Sequence, residues 1–317
     1  MLDLIVVGLG PAGLALAHRA QARGFRVLGI DPNPEWEHTI GVWEDEIPAW
    51  LQVPELGRCR PKVRSNGFSR TIERDYVVVD PQTLRARLTN FPLLRATATI
   101  IDAHTVFTDA GHHHEAKRVV DARGWPFITG PVQQAAGHLA DDAEPWWMDV
   151  RGEHFIYSVP VRGRWLVETT LLITEQARPW EELESTEPSH ERVLFPMQIP
   201  PYGGPALPFG VRAGMLNPLT GYSVATAWRY VDEVLAGNYP WRRPSWKIEQ
   251  LLVRRSQRLL LNVDHERFFE EVFRLEDNTL RRFLQLGDLR GTVVGMWTIF
   301  RRAPWLRRSC IRALLGR

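Results

Sequence analysis

The chain has 317 residues, 44% of them hydrophobic and 24% charged, enough apolar content for a large core in one elaborate domain or two interleaved ones and too much for disorder. A formal net charge of +2 with interspersed acids and bases carries no general nucleic-acid signature, so no such partner is expected. Only Cys59 and Cys310 occur, far apart and without ligand spacing, which argues against a disulfide framework or a zinc site and fits a reducing cytoplasm.

The sequence enters a strand-like run at Leu4 without a basic or cleavable hydrophobic segment, so no secretory signal is expected. No apolar run reaches the roughly 18 residues that span a bilayer. The longest late stretch, Thr292 to Phe300, is closed by Arg301 and Arg302. Any membrane contact is therefore expected to be peripheral.

Leu4 to Val7 is a β-branched run typical of a buried parallel strand, followed at once by Gly8-Leu-Gly10-Pro11-Ala12-Gly13 and a helical segment. In such a turn Gly8 permits the tight bend, Gly10 lets backbone approach a pyrophosphate, and Gly13 lets helix and strand pack closely. The helix N-terminus adds unpaired amides and a positive dipole. A second strand, Phe25 to Ile30, ends in Asp31, where an acid would accept hydrogen bonds from a ribose. Strand, turn, helix, strand and acid agree on dinucleotide binding, with Gly8, Gly10, Pro11, Ala12, Gly13 and Asp31 as its residues. The Gly-Pro-Ala-Gly form resembles the FAD fingerprint of flavoprotein hydroxylases.

Tyr76 to Asp80, then Pro81 and the Leu84, Leu88 spacing, predict a strand, an Asp80 cap and an amphipathic helix. Val106 to Val120 predicts a hairpin, with His112, His113 and His114 at its polar tip because consecutive residues on a turn do not converge on one metal. The segment ending in Asp121 and Gly124 resembles the strand that approaches the dinucleotide in this flavoprotein class. Phe209 to Tyr222 returns to the cofactor a third time, through Gly214, Met215, Pro218 and Gly221. Arg212 stands where such flavoproteins carry an acid.

The following segments, in this order and spacing, resemble the flavin-dependent lycopene cyclases of plants, cyanobacteria and other bacteria. They are Ile30 to Pro34, Gly41-Val-Trp-Glu-Asp-Glu46, Val120 to Gly124 with Gln133 and Gln134, Trp147-Met-Asp149, Phe155 to Pro160, Leu166-Val-Glu-Thr-Thr170 and Ala213 to Tyr222. The segments at 41–46 and 166–170 are the most diagnostic, and beyond residue 225 the similarity fades. The resemblance implies a Rossmann-like α/β fold of the FAD-binding flavoprotein-hydroxylase type, with an inserted β-sheet substrate domain and a helical C-terminus. The expected division is a discontinuous FAD-binding domain at 1–60, 76–125 and 196–240, a substrate domain at 61–75 and 126–195, and a helical C-terminal region at 241–317.

The resemblance also implies a reaction. A terminal alkene of lycopene or a related acyclic carotenoid is protonated, a neighbouring alkene captures the cation, and proton loss leaves a β-ionone ring beside reduced FAD, with NADPH as the reductant. Glu168 matches the family's acid and sits in an apolar strand, where burial would keep a carboxyl protonated. Glu44, Asp45 and Glu46 are assigned support or proton relay. Trp43, Trp147 and Thr169 are assigned to the substrate pocket, and Trp125, Trp146 and Trp165 are further candidate π-faces. From Leu280 to Arg317, apolar positions interleave with many arginines and one acid, Asp288, a composition suited to an anionic lipid surface. The alternatives on the same motifs are a prenyl-lipid reductase or hydroxylase and a non-catalytic lipid carrier.

Overall fold

The computed structural model describes residues 1–36, 38–125, 127, 130–185 and 189–314. Its N-terminal layer is a parallel sheet of five strands in the order Leu207–Pro208, Val119–Asp121, Leu4–Val7, Val27–Ile30 and Leu93–Leu94. Leu4–Val7 is central and all of its residues are buried, which is why it reads as an unbroken apolar run. Helix α1 (Pro11–Ala22) follows directly, with Pro11 in its first turn and Leu14, Leu16 and Ala20 buried. Helix α2 (Pro81–Leu88) is capped by Asp80, whose carboxylate accepts from the Thr83 amide at 3.2 Å and its hydroxyl at 2.6 Å. Helix α3 (Val224–Leu235) covers α1, and its fully buried Trp228 donates to the Pro11 carbonyl at 3.0 Å.

The expected hairpin is part of a separate antiparallel sheet of Ala98–Ile101, Thr105–Thr108 and His113–Glu115. Val119–Asp121 leaves that hairpin and joins the parallel sheet, because its alternative partner is the fully buried strand at Leu4–Val7. A further small sheet, Gly41–Trp43, Tyr76–Val79 and Glu55–Cys59, lies beside the third unit. That unit is a sheet of seven strands ordered Glu191–Pro196, Val132–Ala140, Arg164–Thr174, His154–Val161, Trp146–Arg151, Lys62–Ser65 and Phe68–Thr71.

Five helices follow α3: α4 (Pro244–Leu260), α5 (His265–Phe273), α6 (Asp277–Leu284), α7 (Leu289–Arg302) and α8 (Arg307–Leu314). Phe268, Phe273, Leu280, Phe283, Ile299, Leu306 and Ala313 join one core with Trp43, Val63, Tyr76, Trp147 and Leu166. These helices therefore roof the large sheet. Buried Glu249 ties α4 to α7 by accepting from the Gly287 amide and the Thr292 hydroxyl, both at 2.8 Å. Among the described residues no helix is long and apolar enough to cross a membrane.

Asp80→Ala removes the only side-chain cap of α2 and both bonds to Thr83. It should cost about 1 kcal/mol of stability, read as a lower urea midpoint with an unchanged slope.

Candidate active site

Two cavities meet inside this fold. The smaller, about 350 Å³, lies at the carboxyl end of Leu4–Val7 and is lined by Gly8, Gly10, Pro11, Ala12, Asp31, Arg123 and Gly124 among others. Gly8 has φ +92° and a Cβ there would lie 2.5 Å from the Arg123 nitrogen, so strand and turn close only around a glycine. A Cβ on Gly13 would come within 1.9 Å of the Gly8 carbonyl oxygen, whereas one on Gly10 or Gly124 would meet nothing within 4 Å. Gly8 and Gly13 thus shape the turn, while Gly10 and Gly124 open backbone toward the space a pyrophosphate needs. Asp31 accepts from the Leu9 amide at 2.6 Å and from the Asn33 amide at 2.8 Å, which fixes its carboxylate at the strand end.

The other expected cofactor residues divide. Asp121 is buried and held by Arg123 at 3.0 Å, with Arg212 at 3.8 Å, so it braces the site through its ion pairs. Arg212 also donates to the Arg123 carbonyl at 3.1 Å and lies 5.0 Å from the Trp125 ring centre. Gly214 has φ +74°, and its carbonyl accepts from Gln250. Met215 is fully buried in the core and the Pro218 carbonyl accepts from Gln257, so the side chains of these residues are turned to packing and line neither cavity. Gly221 lines the larger cavity, where a Cβ would lie 2.2 Å from the Gln133 oxygen.

Pro11, Val211, Ser223 and Val224 line both cavities and mark their junction. The larger cavity presents Trp125 Nε1, Gln133 Oε1 and Thr170 Oγ1, each buried and without a hydrogen-bond partner among the described residues. A donor, an acceptor and a hydroxyl of this kind fit a heteroaromatic ring with carbonyl and N–H edges.

The larger cavity, about 780 Å³, has the seven-stranded sheet as its floor. Along Arg164–Thr174 the residues Glu168, Thr170 and Leu172 line it, as a period of two requires. Thr169, expected here, lies on the opposite face, and the pocket residue is Thr170. Across the strands one row reads Tyr157, Glu168, Gly137, Glu191. A Cβ on Gly137 would come 2.8 Å from Glu168 Cγ, so this glycine makes room for the acid. The end wall is Trp43, Tyr76 and Trp147, and the roof includes Phe268, Phe283 and Met296.

Glu168 is 9% exposed and makes no hydrogen bond or ion pair among the described residues. Its carboxyl ionises at about 8, raised from 4.5 first by burial and then by the nearby Glu191 carboxylate. Glu191 moves the other way. Burial would raise it, but the Thr39 amide at 2.8 Å and His38 at 3.3 Å hold it below its ordinary value. One row of the sheet thus carries a neutral acid and an ionised one, separated by a glycine.

Glu46 lines the cavity and is raised by burial against the opposing pull of Arg74, which it meets at 3.0 Å. Asp45 is half exposed, does not line the cavity and binds Arg74 at 2.6 Å. Arg74 in turn sits 4.4 Å from the Trp43 ring centre. Of the other tryptophans, Trp125 lines the cavity, while Trp146 and Trp165 do not. His112 to His114 sit on the antiparallel hairpin, and no metal-holding cluster occurs among the described residues. Tyr76, Tyr157, Tyr222, Gly137 and Glu191 were not singled out from sequence. They become neighbours only through the packing of strands and a loop far apart in the chain.

A lycopene cyclase protein family model matches residues 3–299. The chain belongs to the lycopene cyclase family. It is 30% identical to an uncharacterized carotenoid cyclase of Deinococcus radiodurans, over 71% of this chain and 67% of that one. It is 29% identical to the chloroplastic lycopene beta cyclase of an Oncidium hybrid cultivar, over 95% and 82% of the two chains. The lycopene beta cyclase of Synechococcus elongatus is 27% identical over 74% and 71%. Among solved structures, a geranylgeranyl bacteriochlorophyll reductase-like protein of Thermoplasma acidophilum superposes with a TM-score of 0.56 at 16% identity, covering 96% of this family member and 99% of the other chain. A flavoprotein/dehydrogenase of Cytophaga hutchinsonii gives 0.54 at 12% identity, covering 99% of both. The family member has the flavoprotein hydroxylase and reductase fold.

The folded protein keeps a proton on Glu168 that the unfolded chain loses near 4.5, so stability should fall as pH rises toward about 8. Glu168→Gln should abolish this dependence. The unfolding free energies of variant and wild type, read from urea titrations, should keep a constant difference below pH 4.5 and diverge in the variant's favour between pH 4.5 and about 8, by up to about 1.4 kcal/mol per pH unit.

Proposed function

We propose that the chain closes the ends of lycopene, or of a related acyclic carotenoid, into β-ionone rings, giving γ-carotene and β-carotene. The reaction is an intramolecular lyase or isomerase reaction with no net oxidation. The observation that carries this reading is Glu168, a neutral carboxyl without a partner among the described residues, facing an apolar cavity large enough for the end of a polyene. Kinship with named lycopene beta cyclases supports the substrate.

In this reading residues 1–60, 76–125 and 196–240 hold FAD, along Gly8, Gly10, Pro11, Ala12, Asp31 and Gly124, with its ring near Gly221 and, from the substrate part, Gln133 and Thr170. When bound in its reduced form, with NADPH as the reductant, FAD supplies an electron-rich ring and negative charge that favour a neighbouring cation. The remaining work falls to the chain itself. Glu168 delivers its proton to the terminal alkene, and a second alkene of the same substrate attacks the resulting tertiary cation. Loss of a ring proton then restores neutrality, so one proton enters and one leaves. Roof and floor exclude water that would capture the cation. Asp45 and Glu46 support the site by neutralising Arg74 where it stacks on Trp43.

The substrate part comprises 61–75 and 126–195, and 241–317 forms the roof, of which 315–317 lie outside the described residues. We propose that this roof also rests on a membrane from the cytoplasmic side. Val293 and Trp297 on α7 and Ile311 and Leu314 on α8 are 41–58% exposed and also line the cavity. Arg290, Arg301, Arg307, Arg308 and Arg312 flank them, and α7 and α8 carry no acid. An apolar patch ringed by arginines matches an anionic bilayer.

Cells that accumulate lycopene should form cyclic carotenes when they express this chain, as read by chromatography. Unchanged lycopene beside folded, flavin-loaded, reduced protein would refute the assignment. Glu168→Gln should retain flavin absorbance and form no ring, and Gly137→Ala, which crowds Glu168, should lower the rate at unchanged flavin content. Trp297→Asp with Ile311→Asp should weaken co-flotation with phosphatidylglycerol vesicles by tenfold or more. Equal flotation of wild type and variant would remove the membrane contact.

A further inference from the structure

Five aromatic side chains, four from separate strands and one from a loop, converge at the end of the large cavity where Glu168 stands: Trp43, Tyr76, Trp147, Tyr157 and Tyr222. They pack edge against face. Trp43 lies 4.8 Å from Tyr76 at 68° and 5.6 Å from Trp147 at 62°, and Tyr76 lies 6.3 Å from Tyr157 at 83°. Trp147 and Tyr222 complete the group at 6.4 Å. Tyr157 is the direct cross-strand partner of Glu168, so the two side chains stand side by side on the cavity face.

The hydroxyls of this group are turned on one another. Trp147 Nε1 donates to the Tyr222 oxygen at 2.6 Å, Tyr222 and Tyr76 share a bond of 3.1 Å, and Tyr157 donates to Tyr76 at 3.3 Å. Burial pushes all three phenols above their ordinary ionisation range, Tyr222 to about 12, so the chain is neutral throughout. It ends in an indole N–H, which can only donate. A hydrocarbon substrate has no use for these hydroxyls as hydrogen-bonding partners. Their arrangement makes sense if it is the rings that matter.

We propose that Tyr76, Tyr157 and Tyr222, together with Trp43 and Trp147, form a hydrogen-bond-locked aromatic cage that receives the cationic end of the reacting chain once Glu168 has given up its proton. This inference rests on the cyclase reading above and assigns three residues to it. The ring quadrupoles attract a desolvated cation without any atom that forms a bond to it. A free phenol oxygen would be a hazard in the same place, since its lone pair could capture a tertiary cation as an ether. The Tyr222 and Tyr76 oxygens each accept from a neighbouring donor, which lowers that nucleophilicity, while Tyr157 gives its proton to Tyr76, and the three bonds fix the ring orientations together. No proton or electron is transferred by the cage, so the balance of the reaction is unchanged.

The test replaces Tyr157 and Tyr222 singly by phenylalanine and by leucine, in full-length flavin-loaded protein whose melting temperature and flavin absorbance are checked first. Reduced protein is given lycopene in vesicles, and ring formation is followed under single-turnover conditions. Tyr157→Leu and Tyr222→Leu should each slow ring formation by on the order of tenfold or more, with KM little changed and part of the product diverted to acyclic tertiary alcohol. Tyr157→Phe and Tyr222→Phe should stay within about threefold of wild type, since a ring is kept. Should a leucine variant fail to fold, phenylalanine bearing one, two or three ring fluorines at position 157 preserves shape while weakening the π-face, and the logarithm of the rate should fall steadily with fluorine number. Wild-type rates in the leucine variants, or no dependence on fluorination, would overturn the cage while leaving the cyclase reading intact. Equal losses in the phenylalanine and leucine variants would also overturn it, by assigning the effect to the hydroxyls. An inactive wild type would instead remove the cyclase reading, and the cage with it.

Discussion

A carboxyl group buried without a hydrogen-bond partner among the described residues is expensive to ionise, and the rest of this molecule is arranged around that cost. Glu168 has the sheet floor on its own side and an apolar space in front. Its one close electrostatic neighbour of consequence is Glu191, already held as an anion by His38 and Thr39, which adds repulsion to desolvation. Both effects favour the protonated form, and both depend on Gly137, the one position between the two glutamates where a side chain would collide with Glu168. Acidity is thus set by strand register, a property of backbone pairing that side-chain rotation does not undo.

The same register joins two kinds of chemistry that water would otherwise separate. The smaller cavity is lined by the glycine-rich turn, the start of α1 and the charged side chains of Asp31 and Arg123, whereas the larger cavity is mainly aromatic and aliphatic. Among the described residues they meet along Pro11, Val211, Ser223 and Val224. Arg212, unexpected in this position, is explained by Asp121. The buried aspartate at the end of the third parallel strand needs cations, and Arg123 and Arg212 supply them from either side of the junction. The departure from the usual acid is therefore a local charge pairing that holds the cofactor strand in place.

Much of the dinucleotide half was legible because its signals are local. Gly8 to Gly13, Asp31 and the Asp80 cap each depend on neighbours within a few residues, and spacing alone exposes them. Glu168 was legible because the strand around it is apolar on both sides. What escaped was everything fixed by pairing across long separations. Thr169 and Thr170 are indistinguishable as neighbours in sequence, and only the phase of the pleat decides which one faces the cavity. Asp45 and Glu46 are neighbours in one 3-10 turn and both bind Arg74, yet only Glu46 reaches the cavity wall. Tyr76, Tyr157 and Tyr222 come from strands and a loop far apart in the chain, so no window of sequence contains them together. The C-terminal arginines read as a free amphipathic surface, yet Ile299, Ala303 and Leu306 between them are core.

That last feature bears on how the molecule comes into being. The floor is finished by residue 196, but much of the lid over it comes from α4 to α8. During synthesis from the N-terminus the greasy face of the sheet must wait, uncovered, until the final helices have left the ribosome. The nascent protein therefore passes through a stage in which its most water-averse surface is open to whatever apolar matter lies nearby, and the order of translation itself determines when the chamber is sealed.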